Sequence, residues 1–270
     1  MREECLTVRP ILAGVPQGSI IGPFLFNIFT NDIPKELKKT DLAFDADDVA
    51  VVSQSFSDKE AAKSLEASLS KISGWYSDWQ MSLNISKTTT TLFTRKQMKM
   101  QPQICLNGEK IKWESSSSYL GVTLDSIISW RNNIEKTCQK ATTKLAALYP
   151  LLRTKSMPMR SKVRTITAII RPTVTYASPV WSGCKQEYRK PLQKLQNKAL
   201  WIATGAPCFA RTADIRRDLG VEMLDDHLRK LNMKFYKGLD QKENPLIKKH
   251  ADISLNPFDR YPQPITALTM

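Results

Sequence analysis

Apolar and polar positions change period twice along this chain. Residues 6–12 are β-prone and stop at the turn signal Gly14-Val15-Pro16-Gln17-Gly18. A helix is predicted next. Pro23 stands early, where a missing N–H costs nothing, and Leu25, Phe26, Ile28 and Phe29 make the apolar side. It should end near Asp32-Ile33-Pro34. Residues 42–52, rich in small and β-branched side chains, predict a strand pair or hairpin. Ser57 and Glu60 have capping-box spacing. Ala62, Leu65, Leu69, Ile72, Tyr76 and Trp79 then step by three and four, as one helix face requires. Those aromatics, with Phe26, Phe29 and Trp75, read as core rather than as a base-stacking platform.

Residues 88–94 predict a strand. Asn107-Gly108, flanked by Ile104-Cys105-Leu106 and Ile111-Lys112-Trp113, predicts a hairpin, because both turn residues tolerate positive φ. Residues 115–118 read as a loop and 119–124 as one short strand. After about Trp130 only the helical period remains. Its stripes are Ile134, Cys138, Ala141, Leu145, Leu148, then Leu192, Leu195, Ala199, Ile202, then Leu224, Leu228, Leu231, Phe235. Prolines at 150, 158, 172, 179, 191 and 207 punctuate these helices. The pattern predicts an α+β region over 1–128, an all-α region over 129–243, and a loosely structured tail over 244–270.

Composition narrows the function. A 270-residue chain with 41% hydrophobic and 24% charged residues can bury a core. The longest apolar stretch, residues 19–29, is too short for a membrane span and is broken by Gly22 and Pro23. With no apolar leader at the N-terminus, an intracellular protein of nucleus or cytoplasm is expected, with no membrane partner. Five scattered cysteines without a CxxC argue against a disulfide framework or structural zinc. Two histidines leave little material for a His-based metal centre or a Ser-His-Asp site. The charge is informative. Residues 1–100 hold 12 basic and 12 acidic side chains, whereas residues 131–200 hold 15 basic against Glu135 and Glu187 alone. Such a block attracts a polyanion, and a phosphate backbone is the usual one.

Two constellations carry chemistry. Ala46-Asp47-Asp48 lies between β-prone segments, and paired carboxylates suit hard divalent cations, though adjacent acids also occur in ordinary turns. The glycines of GVPQGSIIGP, residues 14–23, permit tight turns and close approach of another backbone. Together, in this order and spacing, GVPQGSIIGPFLFNIFTNDIP followed by ADD resembles motifs B and C of the reverse transcriptases of jockey-like non-LTR retrotransposons. Residues 75–79 with Leu83-Asn84-Ile85-Ser86-Lys87-Thr88 resemble that family's motif D region, and Tyr119-Leu120-Gly121-Val122 its primer-grip motif E. Residues 148–152, Arg171-Pro172 with Thr175-Tyr176, and Pro179-Val180-Trp181 resemble its thumb and the region after it.

The resemblance implies part of a polymerase palm followed by a basic helical thumb, copying RNA into DNA. Its partners would be an RNA template, a DNA primer and deoxynucleoside triphosphates, with Mg²⁺ as cofactor. Asp47 would be the main metal ligand and Asp48 the supporting one. Gln17 and Gly18 would line the template and nucleotide site, and Lys87 would stand near the triphosphate. Leu120 and Gly121 would place the primer end. On residue type alone, Lys87 also reads as a solvated lysine, and Leu120 and Gly121 as strand packing. Two features depart from the family. The thirteen residues before Gly14 match no motif A, so the chain alone is expected to lack a complete two-ion site. Asp45 stands where the family has an aromatic, and strand alternation predicts that it shares a face with Asp47. The alternative is a catalytically dead remnant that binds nucleic acid.

Overall fold

A computed structural model describes residues 18–35, 37–94, 102–207, 209–239 and 241–243. The predicted strand over 6–12, the tail from Asn244, Cys5 and Cys208 lie outside the described residues. The chain packs as two compact units, Met1–Thr89 with Met98–Lys112, and Thr90–Gln97 with Trp113–Met270. The elements are helices and small antiparallel ladders, as an α+β reading requires. The packing division at Lys112 and Trp113 falls before the predicted one at 128, so a hairpin over 116–125 belongs with the helices.

In the first unit, α1 (Gly22–Phe29) carries Pro23 in its first turn, and the Gly22 N–H donates to Ser19 Oγ at 3.0 Å. The strands β1 (Thr40–Asp45) and β2 (Asp48–Ser53) form the expected hairpin, in register from Thr40↔Ser53 to Asp45↔Asp48. The helix α2 (Asp58–Asp78) buries Ala62, Ser68, Ile72, Ser73 and Trp75. Its capping differs from expectation. Ser57 makes no side-chain cap; Ser55 takes its place, donating to Glu60 Oε2 at 2.9 Å and accepting from the Ser57 N–H. The buried polar groups of α2 are matched, as burial demands. Ser73 Oγ donates to Asn107 Oδ1 at 2.7 Å, and Trp75 Nε1 donates to Asp32 Oδ1 at 3.2 Å. The predicted aromatic core is only partly core: Trp75 is buried, Phe26 and Tyr76 half-buried, and Phe29 and Trp79 exposed.

The predicted strand over 88–94 shrinks to β3 (Thr89–Thr90), after a 3₁₀ turn over Ile85–Lys87. β4 (Cys105–Leu106) and β5 (Glu109–Lys110) flank Asn107 and Gly108, at φ 52° and 84°, the left-handed pair that the sequence predicts. β6 is Lys112–Trp113.

In the second unit, the predicted loop over 115–118 and strand over 119–124 are instead one hairpin, β7 (Ser116–Tyr119) and β8 (Val122–Asp125). Leu120 and Gly121 make its turn, at φ 46° and 76°. The helices follow: α3 (Arg131–Arg153), α4 (Met159–Thr165), a π-helical turn over Ile166–Ile170, α5 (Arg171–Thr175), α6 (Ser178–Trp181), α7 (Gln186–Thr204), α8 (Thr212–Asp218) and α9 (Leu224–Leu239). Trp130, Ile134, Leu145, Leu152, Ile170, Trp181, Leu192, Leu200 and Leu228 meet in one core. Pro158, Pro172 and Pro179 stand at helix starts as expected, but Pro150 and Pro191 lie inside α3 and α7.

Asp125 ties the hairpin to α3. It is 7% exposed, and its carboxylate accepts from Ser129 N at 2.8 Å, Ser129 Oγ at 3.0 Å, Trp130 N at 3.0 Å and Ile127 N at 3.3 Å. Asn133 Oδ1 accepts from Thr123 N at 3.0 Å. Hydrogen bonds to a buried charged acceptor are the strong kind, so Asp125→Ala should cost about 2–4 kcal/mol. Urea unfolding checks this, and a loss under about 1 kcal/mol would show that the donors find water in place.

Candidate functional site

The acidic tip of the β1–β2 hairpin is built by its register. Asp45 and Asp48 are the last paired residues, and Ala46 and Asp47 form the turn, with Ala46 at φ 52°. Alternation therefore stops at the turn. Asp45 lies opposite Asp48, not beside Asp47 as the sequence predicts. All four residues of the tip are exposed. Among the described residues, Asp45, Asp47 and Asp48 form no ion pair with lysine or arginine, so the tip is a concentrated negative feature.

Two helices support it. Phe26 of α1 lies parallel to Phe44 of β1, with centroids 6.3 Å apart, and Phe29 meets Trp79 edge-on at 4.7 Å. Tyr76 of α2 feels the tip directly. Burial, and next the charge of Asp47, push its phenol above the usual tyrosine range. Residue type alone assigns Tyr76 to the core, since its place beside Asp47 depends on how α2 packs.

The other predicted residues fall as follows. Gln17 lies outside the described residues. Gly18 is exposed at φ 83°, a conformation that other residues adopt only under strain. Lys87 ends the 3₁₀ turn, where its N–H donates to Asn84 Oδ1 at 3.2 Å, and its side chain is exposed. Asp47, Asp48, Gly18 and Lys87 thus belong to the first unit, while Leu120 and Gly121 turn the β7–β8 hairpin of the second.

Adjacent exposed carboxylates offer the oxygen donors that Mg²⁺ prefers, and such an ion keeps several water or phosphate ligands. Among the described residues no group of three or more His, Cys, Asp or Glu is arranged to hold a metal. The donor chemistry of the pair fits such an ion, and two carboxylates are fewer donors than a complete shell needs.

The basic block of the second unit divides by packing. Lys162 is buried and donates to Ala203 O at 3.3 Å; Arg189 is buried; Arg171 reaches Glu222, and burial lowers its pKa. These three serve the fold. Lys190, Lys194 and Lys198 are exposed and step by four along α7, which sets them on one side of the helix. Lys194 and Lys198 rim a groove of about 290 Å³ between α3 and α7, floored by Leu145 and Leu195. Burial raises the thiol pKa of Cys138 and Cys184, which disfavours a nucleophilic role for either.

The reverse transcriptase (RNA-dependent DNA polymerase) family matches residues 1–124. The chain is 31% identical over 251 residues to the RNA-directed DNA polymerase from mobile element jockey of Drosophila melanogaster, covering 90% of this chain and 27% of that protein. It is 32% identical to the corresponding protein of Drosophila funebris, with the same coverage. It is 31% identical over 230 residues to the probable RNA-directed DNA polymerase from transposon BS of Drosophila melanogaster, covering 82% of this chain and 25% of that protein. The chain thus spans about a quarter of the length of these curated relatives. No solved structure matches it. Among the described residues no helix is long and apolar enough to cross a membrane.

Proposed function

Because this chain belongs to the reverse transcriptases of jockey-like non-LTR retrotransposons, we propose that its first part supplies the later palm of an RNA-directed DNA polymerase and its helices the thumb. The observation that carries this reading is the solvent-open Asp47-Asp48 pair on a tight hairpin tip, within the residues that match the family. Asp47, in the turn, is the principal metal holder; Asp48, at the first paired position, supports it. When bound, Mg²⁺ supplies charge to offset the triphosphate and to make the primer hydroxyl more acidic. Gln17 and Gly18 line the template and nucleotide site, Gly18 by letting the backbone approach closely. Lys87 offers an exposed ammonium to triphosphate oxygens. Leu120 and Gly121 place the primer end. The substrates are an RNA template, a DNA primer and deoxynucleoside triphosphates.

Primer extension on an RNA template tests the reading. The stretch of the Drosophila melanogaster jockey polymerase that this chain matches is exchanged for the chain, and the chimera should extend the primer. A folded chimera with no product overturns the polymerase reading. It would favour the second one, a nucleic-acid-binding protein without catalysis, for which Asp45 facing Asp48 speaks, because it adds a third negative charge to the tip.

The exposed lysines of α7 give a separate test. The triple variant Lys190→Glu, Lys194→Glu, Lys198→Glu should weaken binding to an RNA–DNA duplex at least about tenfold near 0.1 M salt. The slope of log affinity against log salt should fall by roughly 2–3, with little dependence on template sequence. Fluorescence anisotropy across salt measures both, and an unchanged slope would remove α7 from the backbone contact.

A further inference from the structure

Tyr176 stands directly after α5, and the chain leaves the helix sharply there: Tyr176 is extended, at φ −55° and ψ 132°, and Ala177 is left-handed at φ 51°. The Tyr176 carbonyl accepts from Nε1 of Trp181 at 2.7 Å, and Trp181 is buried in the core. The backbone of Tyr176 is therefore fixed. From that anchor its hydroxyl donates to the Leu120 carbonyl at 2.8 Å, across 56 residues of sequence. Its ring covers the other half of the same turn. A Cβ added to Gly121 would stand 3.4 Å from Tyr176 Cε1, within ordinary contact, so the ring lies against the turn; the φ of 76° is what disfavours a side chain at Gly121.

A tyrosine that merely fastened a hairpin would have its ring packed away. Here Tyr176 is 59% exposed and Leu120 41% exposed, so the fastened turn presents an aromatic and an aliphatic surface to solvent. We propose that Tyr176 is a positioning residue that holds the Leu120–Gly121 turn in place and forms with Leu120 the apolar shelf on which the terminal sugar of a primer rests. This rests on the reading of that turn as primer-positioning and adds to it the group that fixes its geometry.

The full chain is titrated into an RNA–DNA primer–template carrying 2-aminopurine either at the primer 3′ end or deep in the duplex. With the wild-type chain both probes respond. With Tyr176→Phe, which removes only the hydroxyl, the end-probe response falls by roughly half or more, as loss of one hydrogen bond predicts. The interior-probe midpoint stays within about twofold, since no phosphate contact is altered. Tyr176→Leu, which also removes the ring, lowers the end response further, while its circular dichroism spectrum matches the wild type. An end response equal in wild type and Tyr176→Phe overturns the proposal. Loss of both responses in Tyr176→Phe also overturns it, leaving Tyr176 a general folding role. A wild-type chain that moves the interior probe but not the end probe overturns the reading of the turn, and the proposal with it.

Discussion

Replacing Asp47 with alanine is expected to reduce RNA-templated primer extension by about a hundred- to a thousandfold, because metal-borne charge stabilisation is worth several kcal/mol and each 1.36 kcal/mol is tenfold. The assay uses the chimera in which this chain replaces its matched stretch of the jockey polymerase. The geometry makes the prediction specific. Asp47 is a turn residue with an exposed side chain, whereas Asp48 is held at the first paired position, facing Asp45. Asp48→Ala should therefore cost less than Asp47→Ala. Neither should change the unfolding free energy by more than about 0.5 kcal/mol, since both side chains lie on the surface. Asp45→Tyr removes one charge from the tip and should leave extension equal or higher. Full extension by Asp47→Ala would show that the tip holds no catalytic ion.

The second large effect concerns folding. Arg189→Met should destabilise the helical unit by about 3–5 kcal/mol, the cost of removing a buried charged donor from several acceptors at once. The Arg189 side chain is 9% exposed. Its NH1 donates to Ser182 O at 2.8 Å and also to Cys184 O, and its Nε pairs with Asp225 Oδ1 at 3.1 Å. One guanidinium thus holds the end of α6, the start of α7 and the first turn of α9. Methionine matches its stem but leaves two carbonyls and a carboxylate without their donor. Asp225→Ala should cost less, because Asp225 is 32% exposed and water can replace it. Tryptophan fluorescence during guanidinium unfolding measures both, with Trp181 in the same core. Equal, small losses would show that Arg189 reaches solvent.

The Arg189 result also shows why a charge count misleads. The sequence places fifteen basic residues between 131 and 200, and all of them count toward a positive field. Packing takes Lys162, Arg171 and Arg189 inward and leaves the α7 lysines outside. Period and composition do not separate the two groups, since the direction of a long cation depends on carbonyls brought near from elsewhere in the chain. Ser57 makes a similar point at short range. Its spacing to Glu60 satisfies the capping pattern, yet Ser55 reaches the glutamate.

By itself the amino-acid order determined whatever depends on neighbours a few positions apart. That covers the α2 repeat, the Asn107-Gly108 turn, the change to helices after Trp130, and a hairpin ending in Ala46-Asp47-Asp48. These follow from backbone preferences and from the period at which apolar groups must recur to share a face. Tertiary structure alone decided that Lys162 reaches the Ala203 carbonyl, that Arg189 pairs with Asp225, and that Tyr176 reaches the turn at Leu120. A directed hydrogen bond or ion pair forms only where packing brings donor to acceptor within about 3 Å, and partners separated by tens of residues leave no local periodic trace.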